Sequence, residues 1–192
     1  MKVGLEPFRE EHREVVLCIM EGMTLNLKDA DLSRFAMLLD GLKGQGVALV
    51  SLAEEQEQDS DWALRLYELH KMALQDWPND DPTRPIVCIP PDAFADSIKD
   101  QVAQSEGVFI AKINGAYAGY CGALGTAVHP RFRRWGIATA LKLRYIDFAK
   151  KDGMESLFTS SANPAIIAMN KKIGYQAGST EVRFIKRLIN GL

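Results

Sequence analysis

Long apolar runs, paired cysteines and clustered histidines are all missing from this 192-residue chain, and each absence removes a class of function. The run VVLCIM, residues 15–20, is too short to cross a bilayer and follows acidic residues, unlike a secretion signal. No membrane partner is expected. Cys18, Cys88 and Cys121 are odd in number, far apart and form no CxxC pair. That excludes a disulfide framework and predicts reduced thiols in the cytoplasm. His12, His70 and His129 are equally scattered, so no metal-ligand spacing appears and no metal is expected. An excess of one charge is lacking too: 23 Lys and Arg stand against 25 Asp and Glu, a net charge of −2. A general nucleic-acid binder needs a wide basic patch, and this balance argues against one. Internal repeats and low-complexity segments are absent as well.

What remains is an ordinary soluble composition, 47% hydrophobic and 25% charged. The length suits one domain with a full core. Residues 1–40 mix short apolar runs with charge, and 31–39 reads as a helix candidate. VALVSL (47–52) is a β-rich run, bounded by the acidic stretch AEEQEQDSD. Trp62, Leu66, Leu69 and Ala73 then fall at helical spacing after Ser60, the expected N-cap. WPNDDPTRP (77–85) reads as a loop. Phe94, Ile98 and Val102 mark another helix, which Gly107 is expected to end. Asn114-Gly115 joins two strands in the favoured hairpin turn. Gly119 and Gly122 thin the second strand, the mark of a bulge or a close backbone approach. Ile137, Leu141, Tyr145 and Phe148 line one face of a helix closed by Lys150, Lys151 and Gly153. A strand (156–161), a helix (164–173) and a final strand (181–188) follow. Strands alternating with helices, plus a hairpin, give a mixed α/β domain.

One stretch carries chemistry. In VHPRFRRWGIATALKLR, Arg131, Arg133 and Arg134 crowd together just before Gly136 and a helix. The first N–H groups of a helix lack partners, and its dipole places partial positive charge there. Gly136 permits close backbone approach, Ala138 leaves room, and Thr139 adds a hydroxyl. The combination forms an anion site suited to a pyrophosphate. Neither GxxxxGK[ST] nor GxGxxG occurs here, so the usual nucleotide loops do not apply. Asn163 before Pro164 is a good N-cap pair. Asn170 follows two turns later on nearly the same face, and two such carboxamides can both donate and accept.

The segment Arg133-Arg134-Trp135-Gly136-Ile137-Ala138 resembles the R/Q-x-x-G-x-G/A motif of the GNAT (GCN5-related) N-acetyltransferases. SANPAIIAMNKKIGY (161–175) is similar to the family's next block, VFIAKINGAYAGYCGAL to its central hairpin, and YELHKMALQDWP to its first helix. The likeness covers about 46–188, in the family's order. It implies a GNAT fold, a central twisted mixed β-sheet with helices on both faces, spanning 41–192. The N-terminal segment 1–40 would then be a remnant of a preceding GNAT-like copy. The resemblance further implies acetyl-coenzyme A as cofactor. Its pyrophosphate and pantetheine arm would lie against Ala127, Val128, Arg133, Arg134, Trp135, Gly136, Ile137, Ala138, Thr139, Asn163 and Asn170. The implied reaction is acetyl transfer to a primary amine of a small molecule or peptide by a monomer or homodimer. Backbone N–H near Val128 would hold the developing oxyanion.

Two departures from the family pattern stand out. The tyrosine that commonly protonates the departing thiolate is replaced by Asn170, so no catalytic acid carries over. Tyr175 and His129 are expected to be a core residue and a turn residue. The connection from Gly122 to Val128 is also short, so either the hairpin is unusually tight or residues normally present are absent. A non-catalytic acyl-coenzyme A sensor of the same fold is the rival reading.

Overall fold

The computed structural model describes residues 14–75, 87–103, 107–122 and 125–186. Strand β1 (Glu14–Asn26) leads through a 3₁₀ turn (Ser33–Phe35) into helix α1 (Ala36–Gly44). Then come β2 (Val47–Ser51), α2 (Leu52–Gln58), α3 (Trp62–Leu74) and α4 (Pro91–Ala103). The second half holds β3 (Phe109–Ile113), β4 (Ala116–Gly122), β5 (Gly125–Val128) and α5 (Ile137–Lys151). It closes with β6 (Ser156–Ser161), α6 (Pro164–Ile173) and β7 (Gln176–Lys186). The fold is mixed α/β, with its strands in two antiparallel sheets, β2-β3-β4-β5 and β6-β1-β7. The two sheets part between β5 and β6.

The four-stranded sheet follows from local turn chemistry. Asn114 and Gly115 take positive φ of 49° and 79°, as the type I′ turn requires. β4 and β5 pair from Gly119↔Val128 to Gly122↔Gly125, so only two residues link them. The short connection is a tight hairpin. Its closeness depends on glycine: a Cβ on Gly119 would lie 2.8 Å from the Ala127 carbonyl oxygen.

The three-stranded sheet is built differently. β1 lies between β6 and β7 and pairs antiparallel with both. Met23, Leu25 and Leu27 alternate into the core, the period a half-buried strand requires. Arg34 ties the same region down, its Nη2 donating to the carbonyls of Lys172 and Ile173 at 2.7 and 2.8 Å. Those are C-terminal carbonyls of α6, which a cation satisfies well.

Helix α5 joins the two sheets. Ile137, Ala140 and Leu141 pack with Ala111, Ala118 and Cys121 of β3 and β4. One turn on, Leu143, Ile146 and Ala149 pack with Met23, Leu25 and Leu157 of the other sheet. Its N-terminus therefore opens at the split.

Several local expectations change. The acidic stretch after β2 folds as α2, because Ser51 and Glu54 form a reciprocal capping box. Ser60 does not cap α3; Asp61 holds the N-cap position without a side-chain bond, while Asp59 accepts from the Asp61 N–H at 2.9 Å. Residues 33–35 form a 3₁₀ turn, and the helix proper runs to Gly44. Helix α4 is described to Ala103, four residues before Gly107, and β7 begins at Gln176 rather than 181. The loop read at 77–85 and the last residues of the final strand lie outside the described residues.

Candidate active site

A cavity of about 930 Å³ occupies the split between β5 and β6. Its walls come from both strands, the turn before α5, the first turns of α5, and the N-terminal half of α6.

β5 presents an unpaired edge. The His129 N–H donates to Ala118 O at 2.9 Å, on the β4 side. Backbone groups alternate along an antiparallel strand, so those of Thr126 and Val128 point the other way, into the split. The Val128 carbonyl is met from that side by Arg133 Nε at 3.3 Å.

The helix terminus supplies a second set of donors. Ala140 is the first residue of α5 whose N–H closes a turn, onto Gly136 O at 3.0 Å. No described backbone carbonyl accepts from Ile137, Ala138 or Thr139, and all three line the cavity. Unpaired N–H groups and the helix dipole meet here, and Arg133 and Arg134 line the same cavity.

Gly136 is explained by the chain itself more than by ligand approach. Its φ is 91°, and an added Cβ would meet Leu38 Cδ1 at 2.5 Å. Arg134 also takes positive φ, 66°, which bends the turn so that the helix starts abruptly. His129 behaves as a turn residue, its Nδ1 accepting from the Arg131 N–H at 3.2 Å.

Of the residues expected at the site, the fold brings together Ala127, Val128, Arg133, Arg134, Gly136, Ile137, Ala138, Thr139 and Asn163. Asn163 also caps α6, accepting from the Ala165 N–H at 2.9 Å. Trp135 is not in the wall; it is 43% exposed and stacks edge-on against Phe132. Asn170 is 0% exposed and stands behind the wall, which Met169 forms one residue earlier. Successive helical residues are rotated by about 100°, enough to turn Asn170 away from the cavity. Its carboxamide has no hydrogen-bond partner among the described residues, and neither has the hydroxyl of Tyr175, a core residue as expected.

The sequence reading missed Lys142, Tyr145, Ser160 and Met20, which also line the cavity. Met20 comes from β1, which had no strand assigned. Lys142 interrupts an apolar helix face, and that interruption was the available signal.

An open strand edge and an unpaired helix N-terminus thus face one cleft of this α/β fold. The description "Acetyltransferase (GNAT) family" matches residues 64–175, more than half the chain, and the protein belongs to that family. No curated protein matches it. Among solved structures it resembles a GCN5-related N-acetyltransferase from Sphaerobacter thermophilus, with TM-score 0.66 and 14% identity over 95% of this chain and 56% of that one. It also resembles a tandem GNAT protein from the clavulanic acid biosynthesis pathway, with TM-score 0.57 and 17% identity over 96% and 58%. A third is a Salmonella typhimurium protein solved with acetyl-CoA, with TM-score 0.50 and 17% identity over 67% and 78%. The chain thus spans little more than half of the first two. At these identities the likeness concerns the fold.

Proposed function

We propose that this protein transfers the acetyl group of acetyl-coenzyme A to a primary amine of a small molecule or peptide. The observation that carries the reading is the convergence of two unpaired N–H sets, from β5 and from the start of α5, on one cavity. The N–H groups of Ile137, Ala138 and Thr139, with Arg133 and Arg134, suit a pyrophosphate. The outward backbone groups of Ala127's neighbours, Thr126 and Val128, suit the amides of the arm. Asn163 stands opposite, and the exposed Trp135 can cover an adenine from outside. When bound, the cofactor supplies an activated acyl group. An outward backbone N–H of β5 near Val128 would polarise the acyl carbonyl and hold the oxyanion charge. The cleft orients the acceptor amine, and water relays its proton away.

We read the segment 1–40 as the remnant of a preceding copy, a reading that β1 (Glu14–Asn26) suits by pairing between β6 and β7 without a local turn to either. Free thiols at Cys88 and Cys121 fit a cytoplasmic protein acting as a monomer or homodimer. Among the described residues no helix is long and apolar enough to cross a membrane.

Coenzyme A should raise the melting temperature, since a ligand of the native state stabilises by RT ln(1 + [L]/Kd). Arg134→Gly removes one phosphate partner and relieves the positive φ. It should weaken affinity by roughly 1.5–3 kcal/mol, about 10–150-fold, and leave the apo protein as stable or more so. No thermal shift with the wild type would overturn the cofactor assignment. Thiol release with a panel of amines then separates the enzyme from the sensor: binding without release with any amine would favour the sensor.

A further inference from the structure

The cavity wall holds a buried charge that no described carboxylate neutralises. Lys142 is only 8% exposed and lines the cavity wall. No carboxylate among the described residues pairs with its ammonium. Instead Nζ stands over two aromatic rings, 5.9 Å from the centre of Tyr145 and 5.4 Å from that of Tyr175. Ring faces attract a cation but do not replace a counter-ion. The other titratable group facing it is Cys121 of β4, which feels its charge. Burying an ammonium this way is costly, and buried charges are normally paired.

Its place along the cavity is read from the helix that carries it and the strand that shares the wall. Cys121 is paired with Thr126, and the Thr126 hydroxyl donates to Cys121 Sγ at 3.3 Å. Thr126, two residues further from the arginine turn than Val128, lines the same cavity as Lys142. Along α5 Lys142 lies six residues beyond Gly136, about 9 Å from the helix start. A linear molecule with its anion at the arginine turn, laid along β5, brings its far end to this ammonium.

This inference rests on the cofactor reading above. We propose that Lys142 holds the negative charge of the coenzyme A sulfur, so that α5 provides what the family's tyrosine would provide from α6, where Asn170 stands. In the transfer, the amine nitrogen forms a bond to the acyl carbon and the carbon–sulfur bond breaks. The electron pair of that bond moves to sulfur beside the Lys142 ammonium, and the amine proton passes to water.

The test reads the thiol directly. Coenzyme A bound to the protein is titrated by thiolate absorbance, with desulfo-coenzyme A as the blank that removes the protein's own tyrosines and cysteines. An opposite charge within about 4–6 Å lowers an acid's pKa by roughly 1–3 units. Bound thiol should titrate that far below free coenzyme A. Lys142→Met should return it to the free value or above, and Lys142→Arg should keep part of the effect. Identical titration of free and wild-type-bound thiol would overturn the proposal, and needs no variant to be folded. A lowered value that persists in a folded Lys142→Met protein would overturn it equally. Failure of the wild type to bind either coenzyme A or desulfo-coenzyme A is a different result, and it removes the cofactor reading together with this one.

Discussion

Among the described residues one lysine is buried and another half-buried, and their surroundings are opposite. Lys112 on β3 is 21% exposed at its side chain, and its Nζ meets both carboxylate oxygens of Glu55, at 2.6 and 2.8 Å. Glu55 is fully buried and also accepts from Tyr117 Oη at 2.9 Å. Every polar atom of that cluster is in use. Burial and the adjacent carboxylate both push the Tyr117 phenol well up, which keeps it a donor. Lys142 has two ring faces, and the Tyr175 hydroxyl beneath it has no hydrogen-bond partner among the described residues. A completed polar cluster holds structure together. An incomplete one beside a cavity leaves a charge that an entering anion can pair.

The largest effect should come from breaking the completed cluster. Glu55→Leu leaves the Lys112 charge and the Tyr117 hydroxyl without their acceptor. Removing one partner of a buried ion pair costs about 3–5 kcal/mol. Lys112 can reach water in part, so the lower end applies, a fall of about 6–12 °C in melting temperature for a chain of this size. The double variant Glu55→Leu/Lys112→Met should recover most of the loss, since an apolar pair of similar volume replaces the ionic one. A double variant no more stable than the single would show that the cluster supports the fold in another way.

The two sheets differ in how readily the sequence discloses them. β3, β4 and β5 are joined by tight turns, and Asn114-Gly115 announces the first of them. The arginine turn and α5 follow directly, so half of the cleft is readable from one continuous stretch. β6-β1-β7 depends on a strand from more than a hundred residues away, whose apolar residues are interleaved with Glu21, Gly22 and Thr24. No local pattern says that residues 14–26 lie between two strands near the other end. The same limit hid Met20 from the cavity. Asn170 illustrates a finer one: helical periodicity places it on the face of Asn163, but only packing shows that Met169 stands in front of it. Lys142 was visible as a residue and invisible as a buried one.

A smaller change of opposite sign should follow at Asn170. A buried carboxamide without partners costs on the order of 1–3 kcal/mol, and leucine has nearly its shape. Asn170→Leu should therefore raise the apo melting temperature by a few degrees, whereas Glu55→Leu lowers it. Calorimetry of the two variants side by side makes the contrast quantitative. An unchanged or lower melting temperature would mean that the amide is satisfied in solution. A reduced coenzyme A shift in the same variant would tie the amide to the pantetheine arm, as the family pattern implies.

The smallest effect concerns a polar pair intermediate between the two lysines. His70 Nδ1 and Tyr120 Oη share a hydrogen bond at 2.8 Å, packed against Phe94. Burial holds the His70 pKa below its ordinary value, because desolvation disfavours the imidazolium. The unfolded chain binds the proton at about pH 6.5, while the folded protein does so only at lower pH. Unfolding thus takes up protons in that window, and stability falls as pH drops through about 6.5. The contribution is fully present above that value and is lost toward the lower folded pKa. Melting curves between pH 7.5 and pH 5 should show the wild type losing more than His70→Gln, by a few degrees at most. The comparison isolates His70 because His12 and His129 are present in both proteins. Equal losses in the two would place His70 in an environment as wet in solution as that of an exposed imidazole.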